Sequence, residues 1–343
     1  MSRLATWGNE LYTGKTSYPF VQKWKTWFIT ALILLAIASG LTMLRGGFNL
    51  GIEFTGGSEF TVSAVENTDP LIGEQAVDEA IPGAEATATN IAPGTIRIQT
   101  AELTDDQTLQ VANSLQESYE VSADHVTSSF VGPTWGESVS ERMLIGLIVF
   151  LVLVALYLAI YFRTWKMSAA AIVGLIYVVM LTVGIYGATG FEVTPAAIIG
   201  FLLILSYALY DTVVVFDKIR ENTQRLEEDR TRTFDELVNL AVNQTLVRSI
   251  TTSIVGILPV GSILFIGAGL LGAGTLRDIS LSIFIGIIVG TVSTLFIQAP
   301  MYALFRRNED AVQTRDARIL RQRRTRDTET SEESEATAVS QPE

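Results

Sequence analysis

The sequence predicts a polytopic α-helical membrane protein, with six transmembrane helices and an α+β domain between the first and second. Three observations predict it. Hydrophobic residues make up 48% of the 343 residues and mean hydropathy is positive, too apolar for an ordinary soluble chain of this length. Six apolar runs, five of them without a charged residue, have about the 20 residues that a helix needs to cross a bilayer. Between the first and second of them, charge returns together with strand-like and helix-like periodicity.

Composition also excludes. There is no Cys, which removes disulfides, thiol catalysis and thiolate metal sites together. His125 is the only His and cannot build a metal site by itself, so neither a metal nor a cofactor is expected. A formal charge of −12, from 36 acidic against 24 basic residues, argues against nucleic acid as a partner. Acid-rich, Lys-poor surfaces are a lever of halophiles, so composition suggests a halophilic archaeon as the source. An acidic outer domain and tail would give the same balance.

Taken in order, residues 1–25 form a polar, weakly basic segment with Trp7, Trp24 and Trp27 as interfacial anchors. The apolar run Thr26–Leu44 ends at Arg45 without a small-residue cleavage site, so residues 26–45 read as a retained first span. Residues 46–141 read as a folded outer domain. Phe48–Ala64 alternates like a strand, interrupted by Gly56-Gly57. Asp69-Pro70 opens a helix carrying Leu71, Ile72, Ala76, Val77 and Ile81, which Pro82-Gly83 ends. Ala84–Ala92 and Thr95–Thr100 pair across a Pro93-Gly94 turn. Thr104 caps a second helix with Leu109, Val111, Ala112 and Leu115 inward, and Val121–Val131 is the closing strand. This β-α-β-β-α-β order is the ferredoxin-like arrangement.

Residues 142–305 hold five further spans, Met143–Phe162, Ser168–Ala188, Thr194–Phe216, Ser249–Leu271 and Ile279–Phe305. Gly190–Val193 links the third span to the fourth, and the Gly-rich turn Gly272–Asp278 links the fifth to the sixth. Lys and Arg collect before the first span, at Arg163 and Lys166, between Lys218 and Arg248 (Arg225 and Arg230 included), and at Arg306 and Arg307. With six spans these sets share one side, which makes both termini cytoplasmic and residues 46–141 extracytoplasmic in a cell-membrane protein. In the tail, residues 306–343, the Arg-rich part to Arg326 suits a helix on anionic membrane lipid, with a ribosome or another acidic partner as the alternative. Asp327–Glu343 is polar and acidic without apolar periodicity, and reads as disordered.

One stretch stands out chemically. Asp211 interrupts the fourth apolar span, where an ionisable group costs about 2.5–3.5 kcal/mol and is by default a functional site. Its most plausible partner is Arg248, the last charge before the fifth span; Arg277 belongs to the outer turn. A buried Asp whose proton affinity answers to a moving Arg can bind and release protons, and a charge crossing the membrane carries about 2.3 kcal/mol per 100 mV. Asp217 lies six positions on, about 120° round the helix and about 9 Å away. With Lys218, Arg220 and Glu221 it reads as a solvated cluster at the cytoplasmic end. Ser282, Gly286, Gly290 and Thr294 form a small-residue ladder for close helix packing. Tyr210-Asp211 matches half of an intramembrane aspartyl protease motif. No Gly-x-Gly-Asp follows in a later span, so no enzymatic activity is expected.

Several segments together resemble the SecF side of the SecD/SecF family. They are Phe48–Gly57, with Gly51, Glu53, Gly56 and Gly57, then Val131–Thr134, Asp211–Asn222, Arg248–Ser253 and Leu276–Pro300. Glu53 stands where the family usually has Asp, and Thr251 where Asn is common. The resemblance implies half of an RND-type architecture working with a SecD-like membrane subunit beside the Sec translocon channel. It also implies an outer domain that engages exported polypeptide, and Asp211 and Arg248 at the positions used for proton-linked movement. Sodium coupling, a passive translocon scaffold and an RND-like exporter of lipids or small molecules are the alternatives.

Overall fold

Among the described residues, six helices are long and apolar enough to cross a membrane: Trp24–Leu44, Thr134–Phe162, Trp165–Thr189, Pro195–Gln224, Phe234–Ile266 and Gly274–Arg307. The computed structural model describes residues 3–224, 231–267 and 274–339. Arg225, Arg230, the end of the fifth span at Leu271, Gly272-Ala273 of the outer turn and residues 340–343 lie outside the described residues. The elements in chain order are α1 (Arg3–Thr13), α2 (Trp24–Leu44), α3 (Ile52–Thr55), β1 (Gly57–Ser63), α4 (Pro70–Ala80), β2 (Ala86–Ala92), β3 (Thr95–Thr100), α5 (Asp105–Ser118) and β4 (Val126–Val131). The bundle continues with α6 (Pro133–Phe162), α7 (Trp165–Thr189), α8 (Pro195–Gln224), α9 (Phe234–Ser262), α10 (Gly274–Ser293), α11 (Ala299–Arg307) and α12 (Asp310–Val339). π-helical turns at Ile263–Gly267 and Thr294–Gln298 interrupt the last two spans.

The domain between α2 and α6 is a four-stranded antiparallel sheet in the order β2-β3-β1-β4. Strand alternation puts Phe60, Val62, Ile96 and Ile98 on one face, buried against Ala76 and Val77 of α4 and Val111 and Leu115 of α5. The expected helix signals act as such. The Asp69 side chain accepts from Leu71 N at 3.0 Å with Pro70 in the first turn, and Thr104 forms a capping box with Gln107.

The structure departs from the sequence reading in several places. Phe48–Ala64 is not one interrupted strand: Gly56 (φ 75°) and Gly57 (φ 139°) reset the chain between the short helix α3 and β1. The closing strand begins at Val126, behind a 3₁₀ turn at Ala123–His125, and β2 begins at Ala86. α6 starts at Pro133, so residues 133–141 are its first turns and the domain ends at Gly132 rather than 141. Pro at the first helical position starts a helix well, and the charged residues Glu137, Glu141 and Arg142 are accommodated on its exposed surface. The tail is helical from Asp310 to Val339, beyond Asp327; Val312 and Ile319 bury its start. Its Arg, Gln, Glu and Ala are strong helix formers without an apolar repeat. Trp7 and Trp27 pack inward rather than standing free: Trp7 lies against the bundle core, and Trp27 meets Phe296 edge-on with 4.6 Å between centroids.

Candidate functional site

α8 and α10 run side by side in the same chain direction, and every fourth residue of one meets every fourth residue of the other. A Cβ on Gly200 would come within 2.5 Å of the Ser282 Cβ, and one on Gly286 would overlap the Ile204 side chain. A Cβ on Gly290 would lie 3.2 Å from Ala208, and Thr212 faces Thr294 with 3.5 Å between hydroxyls. The ladder Ser282-Gly286-Gly290-Thr294 is thus one half of a zipper whose other half is Gly200-Ile204-Ala208-Thr212. Small residues let the backbones approach at membrane depth. The zipper ends beside Asp211.

Asp211 is 5% exposed. Its Oδ1 accepts a 2.6 Å hydrogen bond from Ser249 Oγ of α9. The Thr294 hydroxyl also faces the carboxylate but donates to the Gly290 carbonyl at 3.1 Å, and among the described residues Oδ2 has no hydrogen-bond partner. A half-satisfied buried carboxylate is costly, and its unpaired oxygen leaves a place for a proton.

Asp211 and Arg248 do not pair in this structure. Ser249, the residue after Arg248, faces Asp211, so Arg248 itself is turned about 100° away along the helix surface. Its Nη2 donates to Tyr210 Oη at 3.4 Å, and its side chain is exposed at the level of Asp211. Its charge acts on Asp211 through space. Of the supporting cluster, Lys218 Nζ bonds Glu221 at 2.9 Å and lies over the Tyr12 ring. Asp217 is exposed and Arg220 half-buried near the end of α8. None of the four joins the Asp211 shell.

Polar residues that the sequence reading passed over complete the site. Gln298, wholly buried in the second π turn, accepts from Thr212 Oγ1 at 2.8 Å and its amide reaches Ser293 Oγ at 3.5 Å. Ser293 donates to the Gly174 carbonyl at 3.1 Å, and the missing side chain of Gly174 is the space that Gln298 fills. Ser253 and Thr291 add a 2.5 Å hydroxyl pair. The polar seam therefore joins α7, α8, α9 and α10 around Asp211. Gln298 was findable: it is an amide within the apolar run Leu295–Pro300. π turns often sit at functional sites because they re-aim side chains.

The second motif forms the junction between domain and bundle. Gly51 N donates to Val193 O at 3.0 Å and Val193 N to Asn49 O at 2.8 Å, which ties the chain before α3 to the α7–α8 link. A Cβ on Gly51 would collide with the Glu53 carboxylate, and one on Gly57 with the Thr100 carbonyl. From the sheet face opposite the domain core, Arg97 pairs with Glu192 at 2.7 Å, and Gln99 donates to Glu192 at 2.5 Å. Arg277 donates to the Asn90 and Ile91 carbonyls at 3.1 and 3.2 Å, and Thr194 to Asp278 at 2.9 Å. Burial pushes the Glu53 carboxyl above the usual carboxylate range, and nearby Glu192 and Glu59 push the same way. Among the described residues, no group of three or more His, Asp or Glu is placed to hold a metal ion.

Comparison with known proteins adds names to this geometry. Residues 110–308 match the family described as protein export membrane protein SecD/SecF, C-terminal, and residues 44–67 match the SecD/SecF GG motif. The chain is 42% identical over 324 residues to protein translocase subunit SecF of Streptomyces coelicolor, covering 94% of this chain and 86% of that one. It is 36% identical to a SecF subunit of Mycobacterium tuberculosis, covering 97% and 77%. It superposes with a TM-score of 0.75 and 30% identity on the crystal structure of SecDF, a translocon-associated membrane protein from Thermus thermophilus. That match takes in 85% of this chain and 39% of the SecDF chain. These relatives are bacterial, so the archaeal source suggested by composition finds no support in them.

Proposed function

The chain belongs to the SecD/SecF family of protein-export membrane proteins, on its SecF side, and from that membership we propose that it acts with a SecD-like subunit as one half of a proton-driven export factor. Thermus SecDF carries the matching region within one longer chain, which supports a two-half assembly here. In this reading the protein is not an enzyme. It sits in the cell membrane with both termini cytoplasmic and the α+β domain outside, as the Lys and Arg distribution supports. The domain meets polypeptide leaving the Sec channel, and the membrane part draws on the proton-motive force.

The observation that carries the reading is Asp211: a buried carboxylate between three packed spans, with Oδ1 bonded and Oδ2 unpartnered among the described residues. A group of this kind can take up a proton from one side and release it to the other when its surroundings shift. Arg248 extends the argument. An exposed guanidinium at the level of Asp211, held among the described residues by a phenol at 3.4 Å, calls for an acceptor from a neighbouring membrane chain. Replacing Asp211 by Asn is expected to abolish proton-dependent export while membrane insertion and association with the SecD-like subunit persist. Normal export by that variant would refute the mechanism.

A further inference from the structure

α6 diverges from the bundle. At its far end it packs through Leu158 and Phe162, and the Leu158 carbonyl accepts from Ser168 Oγ at 3.0 Å. At its start it is held by α3 instead: a Cβ on Gly136 would come 2.5 Å from the Phe54 carbonyl oxygen. Val154 is still buried in the bundle core and Phe150 and Leu151 pack against it, but nearer its start α6 stands off α7 and α8, and the wedge holds a cavity of about 290 Å³. Met143 and Leu147 of α6, Val183 of α7, and Ile198, Phe201 and Leu202 of α8 form its walls. Leu50 and Phe54 close it on the side of the α+β domain, and Ser140 contributes a lone hydroxyl.

We propose that this cavity is a binding site for one acyl chain of a membrane phospholipid, held in the leaflet next to the α+β domain. Depth supports the assignment. Val179 and Val183 lie ten and six residues from the end of α7, about 15 and 9 Å at helical rise, within half of a hydrocarbon core about 30 Å thick. At that depth the wedge opens onto lipid. Chemistry and shape favour lipid: the space lies between α6, α7 and α8, is open on one side at that depth, can take a flexible run of methylenes, and its walls offer almost no polar atom. An acyl chain seated here touches Leu50 and Phe54 on either side of Gly51, so lipid would support the motif that ties the domain to the bundle.

The test uses the full-length protein with its membrane partner, reconstituted in nanodiscs with a phosphatidylglycerol carrying a photoactivatable diazirine in one acyl chain. Labelled residues are mapped by mass spectrometry. The expected result is labelling at Met143, Leu147, Val183 and Leu202 several-fold above that at Leu153, Leu156 and Ile160 of α6, which face outward. Leu202→Trp fills the cavity from inside, and Leu144→Trp fills it from an exposed position that folding tolerates. Either should lower labelling at Val183 several-fold and leave Ile160 unchanged. Labelling no greater than at the outward positions, labelling indifferent to Leu144→Trp, or a segment of the partner chain cross-linked in place of lipid would overturn the assignment.

Discussion

The bond between Ser249 and Asp211 is the contact on which the site's stability turns, and its strength can be isolated. It is 2.6 Å long and joins side chains that are 0% and 5% exposed. Interhelical hydrogen bonds in membranes average about 0.6 kcal/mol and reach about 1.7 in double-mutant cycles; bonds to charged groups in soluble proteins run to about 1.5–3. A short, fully buried bond belongs at the upper end. Ser249→Ala alone should therefore cost about 1–3 kcal/mol, because it removes the donor bonded to Asp211 Oδ1. In an Asp211→Leu background the same substitution should cost little, since no acceptor is left wanting, giving a coupling of about 1–2 kcal/mol. Asn is unsuitable for this cycle because its carbonyl oxygen would still accept from Ser249. Reversible unfolding of the purified chain in mixed micelles with increasing SDS, followed by circular dichroism, measures all four variants. A coupling inside the scatter of independent sites, about 0.3–0.5 kcal/mol, would show that the bond is not formed.

Three further outcomes follow from the same packing. Gly286→Val drives a branched side chain into Ile204 and should destabilise the bundle by about 1–3 kcal/mol or more, whereas Gly146→Val on α6, where nothing lies within 4 Å, should be near neutral in the same titration. Gly57→Ala combines a φ of 139° with a clash on the Thr100 carbonyl and should cost more than Gly83→Ala, which bears only the strain of about 1 kcal/mol at φ 85° with open space around it; thermal unfolding ranks the two. The Glu53 carboxyl has a folded pKa above its unfolded value of 4.5, chiefly from burial, so the folded state binds the proton more tightly. Its contribution then favours folding at acid pH and is lost as pH rises from the unfolded value through the raised folded one. Glu53→Gln should remove that slope, so the stability difference from the parent grows in the variant's favour over that window; a difference flat with pH would count against it.

Residue type and order alone determined the spans, the insertion point of the α+β domain and the identity of its two longer helices, α4 and α5, because each depends on signals that act over a few neighbouring residues. Asp69-Pro70 and Thr104 start helices wherever they stand, and an apolar run of about 20 residues spans a bilayer whatever surrounds it. Asp211 was legible for the same reason, as a charge within such a run. Its partner was not. Arg248 and Ser249 are adjacent in sequence but point about 100° apart on a helix, and only the rotation of α9 against α8 decides which of them meets the carboxylate. The ladder on α10 could be read, but its complement Gly200-Ile204-Ala208-Thr212 could not, since two of its four members are too bulky or too ordinary to signal contact. Gln298 reaches Thr212 because a π turn aims it and because Gly174, more than a hundred residues earlier, leaves room. Local chemistry specified which groups enter the membrane; the packing of four helices specified which of them touch.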